Sequence, residues 1–284
     1  MNYRHGFHAG NFADVVKHAI LARALVALAR KETPFRYIDT HAGAGRYDLT
    51  SDLAARSPEW RDGIARLLRA PLPAPVAELL KPYLEAIGAT DAHGVPLAYP
   101  GSPALAKALM RRGDRLALCE KNDGERAALV LALGKDARLS IVGTDGYVAL
   151  NAYVPPMERR GLVLVDPPFE AADERIRLSE SMARALKKWP RGCYVIWRPI
   201  KDRIDDGALL SSIKSSGLPN ILNIELDVGR APPPVPGLRR AGLVIVNPPF
   251  GLADEARALL GFLCPLLARG DGAAVTCEWL AAPV

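Results

Sequence analysis

Asp166-Pro167-Pro168-Phe169 is the stretch whose residue types and order best suit chemistry. The exocyclic amine of an adenine is a poor nucleophile, because its lone pair is delocalised into the ring. It improves when two acceptors hold its hydrogens as the nitrogen pyramidalises. The carboxylate of Asp166 and the carbonyl of Pro167 are two such acceptors, and the prolines fix their spacing. Phe169 offers a flat face on which a base stacks, an interaction worth about 1–3 kcal/mol per base. A methyl donor held in line would complete an amino-methyltransferase site that works by positioning and fixed dipoles. The plain alternative is a buried strand ending in a proline turn, with Asp166 capping the next segment of chain.

Other residues of the right type fall at the ends of apolar runs. Phe35-Arg36-Tyr37-Ile38-Asp39 leads into Thr40-His41-Ala42-Gly43-Ala44-Gly45, a Gly-x-Gly loop that allows close backbone approach to a cofactor. The third glycine of the dinucleotide fingerprint is absent, since Tyr47 and Asp48 follow Arg46, which disfavours a dinucleotide. Arg115 to Cys119 ends in Glu120, placed to accept from ribose hydroxyls. Leu139 to Val142 ends in Gly143-Thr144-Asp145-Gly146, where Asp145 either accepts from a cofactor adenine or merely makes a turn. Three successive strand ends thus carry Glu120, Asp145 and Asp166. A near copy of the proline turn, Asn247-Pro248-Pro249-Phe250, follows Gly242-Leu243-Val244-Ile245-Val246. It reads as a late strand ending near the substrate face, and Asp166 is preferred because the glycine loop, Glu120 and Asp145 precede it in the order a doubly wound sheet requires.

The elements that must position these residues alternate. Leu162 to Val165 is apolar without interruption, the mark of a strand buried on both faces of a parallel sheet, and neither following proline can extend a ladder. Asp166 is left at the carboxyl edge, where open α/β sheets bind ligands. From the cap Asn11 to Lys31, the spacing Val16, Ile20, Ala24, Leu28 predicts a helix with Lys17 and His18 near its start. Taken alone, both read as solvated face residues. Residues 1 to 12 have no period, and composition leans to disorder over a segment folded across a site. Residues 48 to 98 break the alternation: apolar stretches at 64–68 and 76–87 around Pro71-Leu72-Pro73-Ala74-Pro75 predict a helical insertion. A helix led by Pro103, others near 125–133 and 182–188, and a strand from Gly192 to Trp197 complete the expected framework.

Composition bounds the function without naming it. With 284 residues and 49% apolar side chains, the chain can bury a large core. A net charge of +6 favours an anionic partner without requiring one. Four cysteines without Cys-x-x-Cys spacing suggest neither a zinc site nor a disulfide framework and fit a reducing cytoplasm. Nothing resembles a signal-peptide core, and no run is apolar enough to span a membrane.

The sequence resembles the J-type 23S ribosomal RNA adenine-N6 methyltransferases. The likeness rests on Tyr-Arg-His-x-Phe-His-Ala-Gly-Asn at 3–11, Asp-Val-x-Lys-His at 14–18, Asp-Thr-His-Ala-Gly-Ala-Gly-Arg-Tyr at 39–47, Tyr-Pro-Gly-Ser-Pro at 99–103 and the two proline turns. It implies a Rossmann-like class I α/β sheet, with 1–47 and 99–284 forming the methyltransferase domain and 48–98 a small helical insertion subdomain. It implies S-adenosylmethionine as donor and one adenine of 23S rRNA as acceptor, on protein-free or immature RNA; a monomer is expected, since nothing in the sequence demands a dimer. Carried over, Lys17, His18, His41, Ser102, Glu120, Asp145, Gly146 and Asp166 line the cofactor. Asp166 also accepts the amine proton with Pro167 and Phe169 beside it, and Tyr3 and His5 approach the target base. The family usually has Tyr where this chain has Phe169. No metal is expected, since the sulfonium is already activated. The rivals are a DNA adenine-N6 or protein glutamine methyltransferase, an RNA-binding module without catalysis, and a nucleotide-dependent oxidoreductase.

Overall fold

The computed structural model describes residues 5–91, 95–230 and 237–283. Tyr3 and the middle of the Pro-rich basic stretch at 229–240 lie outside the described residues. The first helix, α1 (Phe12–Ala29), starts where expected because the Asn11 side chain accepts from the backbone N–H groups of Ala13 and Asp14. Every residue from Phe12 to Leu25 is buried. A single apolar stripe would have left Lys17 and His18 in solvent. Here α1 is flanked by α4, α5 and α10 (bounds below) as well as by the sheet, so they are buried instead.

After α1 comes β1 (Arg36–Asp39). An antiparallel hairpin of β2 (Arg46–Asp48) and β3 (Ala98–Pro100) then encloses α2 (Asp52–Arg56), α3 (Ile64–Arg69) and α4 (Ala74–Ile87). Next are α5 (Ser102–Leu109), β4 (Arg115–Cys119), α6 (Asp123–Leu133), β5 (Leu139–Val142), α7 (Gly146–Tyr153) and β6 (Gly161–Val165). The chain closes with α8 (Glu174–Lys188), β7 (Cys193–Pro199), α9 (Arg203–Lys214), β8 (Ile221–Asp227), β9 (Arg240–Val246), α10 (Leu252–Leu267) and β10 (Ala274–Ala281).

Among the described residues, eight strands form one sheet in the order β10-β8-β9-β7-β6-β1-β4-β5. Strands β5, β4, β1, β6 and β7 are parallel, and the winding reverses between β1 and β6. This is the Rossmann-like doubly wound arrangement, whose ligand crevice opens at that reversal. Both faces of β6 are covered. Leu162 and Leu164 join the core shared with α1, α4, α5 and α10, while Val163 and Val165 join the core shared with α7, α8 and α9.

The far half of the sheet overturns one expectation. β9 runs antiparallel to β7, with Tyr194 beside Val246 and Pro199 beside Ala241. Its carboxyl end therefore meets the amino end of β7. Asn247 lies at the edge opposite Asp166, not near the substrate face, and its amide donates to the carbonyls of Pro190 and Gly192. Residues 5–12 are tied into the fold, where composition leaned to disorder. His5–Phe7 form a 3-10 turn, and the Gly10 N–H and His5 Nε2 both bond Asp14 Oδ2 at 2.9 Å.

Candidate active site

A cavity of about 410 Å³ opens at the reversal. The backbone around it is built from strand ends: Thr40 N donates to Leu164 O, Ala42 N to Cys119 O and Glu120 N to Val142 O. These bonds carry the parallel ladder one step beyond each strand and hold the loops in register. Lys17, His18, His41, Ser102, Glu120, Asp145, Gly146 and Asp166 all line this cavity, so residues spread from position 17 to 166 meet there.

Their hydrogen bonds separate them by role. Glu120 Oε2 accepts from Gly43 N at 2.8 Å and Oε1 from Asn122 N at 2.7 Å, which leaves further lone pairs on both oxygens. Asp145 caps α7 through Tyr147 N and pairs with Lys121 at 3.2 Å and Arg177 at 3.0 Å. Burial opposes its charge, but Arg177, the Tyr147 N–H and Lys121 hold its carboxyl below the usual range. The helix cap is therefore real, and Asp145 lines the cavity as well. Gly146 has no room for a side chain, because a Cβ there would lie 2.4 Å from the Thr40 carbonyl and 2.5 Å from the His41 ring. Of the two loop glycines, Gly43 lines the cavity, whereas Gly45 (φ 77°) turns away against Leu129 of α6. The close approach expected of both is available at one.

Two histidines are kept neutral. Burial lowers His41 to about 4 and His18 to about 3. His41 bonds Thr40 Oγ1 through Nδ1 and meets Tyr147 edge-on at 5.4 Å. His18 Nδ1 is 2.8 Å from Tyr99 Oη, and its Nε2 is buried without a partner. Beneath Ser102 lies Asp39, to which the sequence assigned no role. It accepts from Tyr37 Oη and Ser102 Oγ, both at 2.7 Å, and burial raises its carboxyl to about 6. A carboxylate closing the first strand just before the glycine loop was the available signal.

Asp166 stands between this cavity and a second one. Lys17 Nζ lies 2.6 Å from Asp166 Oδ2 and 2.8 Å from Asp14 Oδ1. Burial disfavours the ammonium, but the two carboxylates outweigh it and raise the Lys17 pKa well above normal. The second cavity, about 600 Å³, is lined by His5, Asp14, Lys17, Asp166, Pro168 and Trp197 among others. His5, Lys17, Asp166 and Pro168 line both. Pro167 lines the first. Phe169 lines neither: at φ 51° its half-buried ring packs on the α8 side of the sheet, beneath the Arg175 guanidinium at 5.5 Å.

A doubly wound sheet with carboxylates after β4, β5 and β6 around its crevice defines an enzyme of the Rossmann-like, small-cofactor class. The family described as ribosomal RNA large subunit methyltransferase D, RlmJ, matches residues 32–281. The ribosomal RNA large subunit methyltransferase J of Escherichia coli (strain K12) is 35% identical over 285 residues, covering 99% of each chain. That of Haemophilus influenzae is 34% identical over 282 residues with the same coverage. The crystal structure of protein LPL1258 from Legionella pneumophila superposes with a TM-score of 0.84 at 32% identity, over 96% of this chain and 98% of that one. The chain belongs to this family of large-subunit ribosomal RNA methyltransferases.

Proposed function

We propose that this protein transfers a methyl group from S-adenosylmethionine to the N6 amine of one adenine in 23S rRNA. The observation that carries the reading is that Asp166 lines two adjoining cavities. One takes the donor and the other the acceptor, with the carboxylate at their boundary. The first cavity suits the donor's adenosine and sulfonium parts. Glu120 keeps free lone pairs for ribose hydroxyls, and the buried His18 Nε2 lacks a partner. When bound, S-adenosylmethionine supplies a methyl group already activated on sulfur.

The chain's own residues do the rest. Asp166 and the Pro167 carbonyl hold the two amine hydrogens and direct the nitrogen lone pair into the first cavity. Lys17, anchored on Asp14, fixes the orientation of Asp166. His5, held by Asp14 and tilted 4.9 Å from Tyr47, forms a wall common to both cavities beside the target base. The helical insertion at 48–98 braces that wall, since Glu59 bonds His8 and Asn11 at 2.9 Å each. A base can reach Asp166 only out of its stack, so the substrate is looped-out or single-stranded RNA, protein-free or immature, in the cytoplasm. Nothing in the scheme requires a second subunit.

The test is transfer of labelled methyl from S-adenosylmethionine to protein-free 23S rRNA, with digestion to nucleosides. N6-methyladenosine formed by the unmodified protein and not by Asp166→Ala is the expected result. A different methylated nucleoside, or label on DNA or protein alone, would overturn it.

A further inference from the structure

We propose that the amino edge of the five parallel strands is a separate RNA-binding face, which grips phosphodiesters of 23S rRNA remote from the target nucleotide. The proposal rests on an rRNA substrate and not on the adenine-N6 reaction. Each parallel strand is entered from a short connection, at 30–35, 110–114, 134–138, 154–160 and 189–192, and the parallel pairing puts all five at one edge. Together they hold nine Lys and Arg against four Asp and Glu. The connections that leave the same strands, at 40–45, 120–122, 143–145, 166–173 and 200–202, hold two against six. Arg36 and Arg115, which open β1 and β4, and Lys187 and Lys188, which close α8, add four more cations to the amino edge. In the parallel half of the sheet, then, a polyanion is drawn to the edge opposite the chemistry.

The connections make one continuous surface. Arg111 donates to the carbonyls of Ala29 and Lys31, Arg160 to those of Leu28 and Thr33, and Arg138 to those of Lys107 and Met110. With neighbouring strands about 4.8 Å apart, the edge from β5 to β7 runs roughly 19 Å, room for several consecutive phosphates of one strand. Three of the four acids are already paired: Asp114 with Arg111, Glu158 with Arg36 and Asp136 with Arg138. Arg112, Arg159 and Arg191 are exposed and have no ion-pair partner among the described residues. A cleft of about 440 Å³ between the entrances to β4 and β5 is lined by Arg112, Arg115 and Arg138 with Asp136 and Ala137. Its one carboxylate is held by Arg138 at 2.7 Å, and Arg115 donates to the main-chain carbonyls of residues 112–114, so the cleft has cations to spare. Seven of the nine cations in the connections are arginines, whose guanidinium forks match phosphate oxygens. Phe35 and Trp189, the aromatics of these connections, are buried. The face therefore offers donors to an RNA backbone and no ring to a base, which positions the substrate without reading its sequence.

The experiment measures binding of the full chain, saturated with S-adenosylhomocysteine, to labelled protein-free 23S rRNA over a range of salt. The triple variant Arg112→Gln, Arg159→Gln, Arg191→Gln removes three exposed charges from the amino edge. A second triple, Arg56→Gln, Arg69→Gln, Lys81→Gln, removes as many exposed charges from the helical insertion. The first should bind roughly 10- to 100-fold more weakly at about 0.1 M salt, and its plot of log affinity against log salt should be shallower by roughly 2–3. Its affinity for S-adenosylhomocysteine should be unchanged. Equal weakening by the two triples overturns the proposal, because the effect would then follow net charge alone, and so does an unaltered salt slope in the first. If the first triple fails to fold, Arg112→Gln alone decides: it should lower the slope by about one, and normal binding by that variant overturns the proposal. Loss of RNA affinity in the first triple, beside an unmodified protein that methylates no adenine of 23S rRNA, would sink the reaction and leave the face standing.

Discussion

The turns at Asp166 and Asn247 come after the same kind of apolar strand and share their last three residues, yet they lie at opposite edges of one sheet. β6 is parallel to its neighbours β1 and β7, so its carboxyl end joins those of β1, β4 and β5 around the first cavity. β9 is antiparallel to both β7 and β8, so the Asn247 turn meets the start of β7. The backbones differ as well. In the first turn Phe169 takes positive φ and tucks its ring half inside; in the second Asn247 does, and Phe250 is left 97% exposed. Strand direction decides which spelling of the turn can do chemistry.

The largest contrast should come from Lys17. It is buried between Asp14 and Asp166, whereas the Asn247 side chain donates to two neutral carbonyls. Lys17→Met strands carboxylates in a dry site and should cost about 3–5 kcal/mol in chemical denaturation. Adding Asp14→Asn should return part of that, and a single variant as stable as the unmodified protein would refute the anchoring role. Next is Asp166→Ala, expected to lower the methyl-transfer rate constant by about 10²–10³, the usual loss on removing one preorganised polar group. Asn247→Ala, assayed alongside at equal folded concentration, should transfer at the normal rate. Equal losses in the two variants would erase the distinction between the turns.

Much of this contrast was legible in the sequence, but unevenly. The uninterrupted apolar run before Asp166 and the carboxylates at 120 and 145 are local patterns, and each fell at the strand end expected. The direction of β9 is not local, because nothing in Leu243 to Val246 distinguishes a parallel from an antiparallel partner. The burial of Lys17 and His18 was hidden for a related reason: α1 is covered on several sides, so no polar stripe marks its outside. Trp197 ends a strand that was foreseen, but its place beside Asp166 depends on the β6–β7 register. The ring of Phe169 packs on the α8 side through one positive φ, which no local pattern announces. The family resemblance gathered the residues of the first cavity; the second became visible only in three dimensions.

The two edges should also respond differently to acid. His18 and His41 have folded pKa values lowered by burial to about 3 and 4, against an unfolded value of about 6.5. The unfolded chain therefore binds more protons between those limits, and stability present above pH 6.5 is lost as the pH falls. Asp39, raised by burial to about 6, has the opposite sign between about 4 and 6 and offsets part of this loss. Denaturation at pH 7 and pH 5 should reveal a net loss on the order of 2 kcal/mol, reduced in a His18→Gln, His41→Gln double variant. An unchanged slope in that variant would place the acid sensitivity elsewhere.

The smallest effects belong to Asn247, and two substitutions separate its two duties. Its side chain donates to the carbonyls of Pro190 at 2.9 Å and Gly192 at 2.8 Å, and its backbone sits at φ 51°. Asn247→Ala removes both bonds and puts a less tolerant residue in the left-handed region, for an expected loss of about 1–2 kcal/mol. Asn247→Gly removes the same bonds but relieves the backbone, so it should lose less than Ala. If instead Gly costs as much as Ala, the hydrogen bonds to the β7 entry carry the whole effect and the positive φ is incidental. In neither variant should methyl transfer per folded molecule change, because that turn is separated from Asp166 by the length of β7.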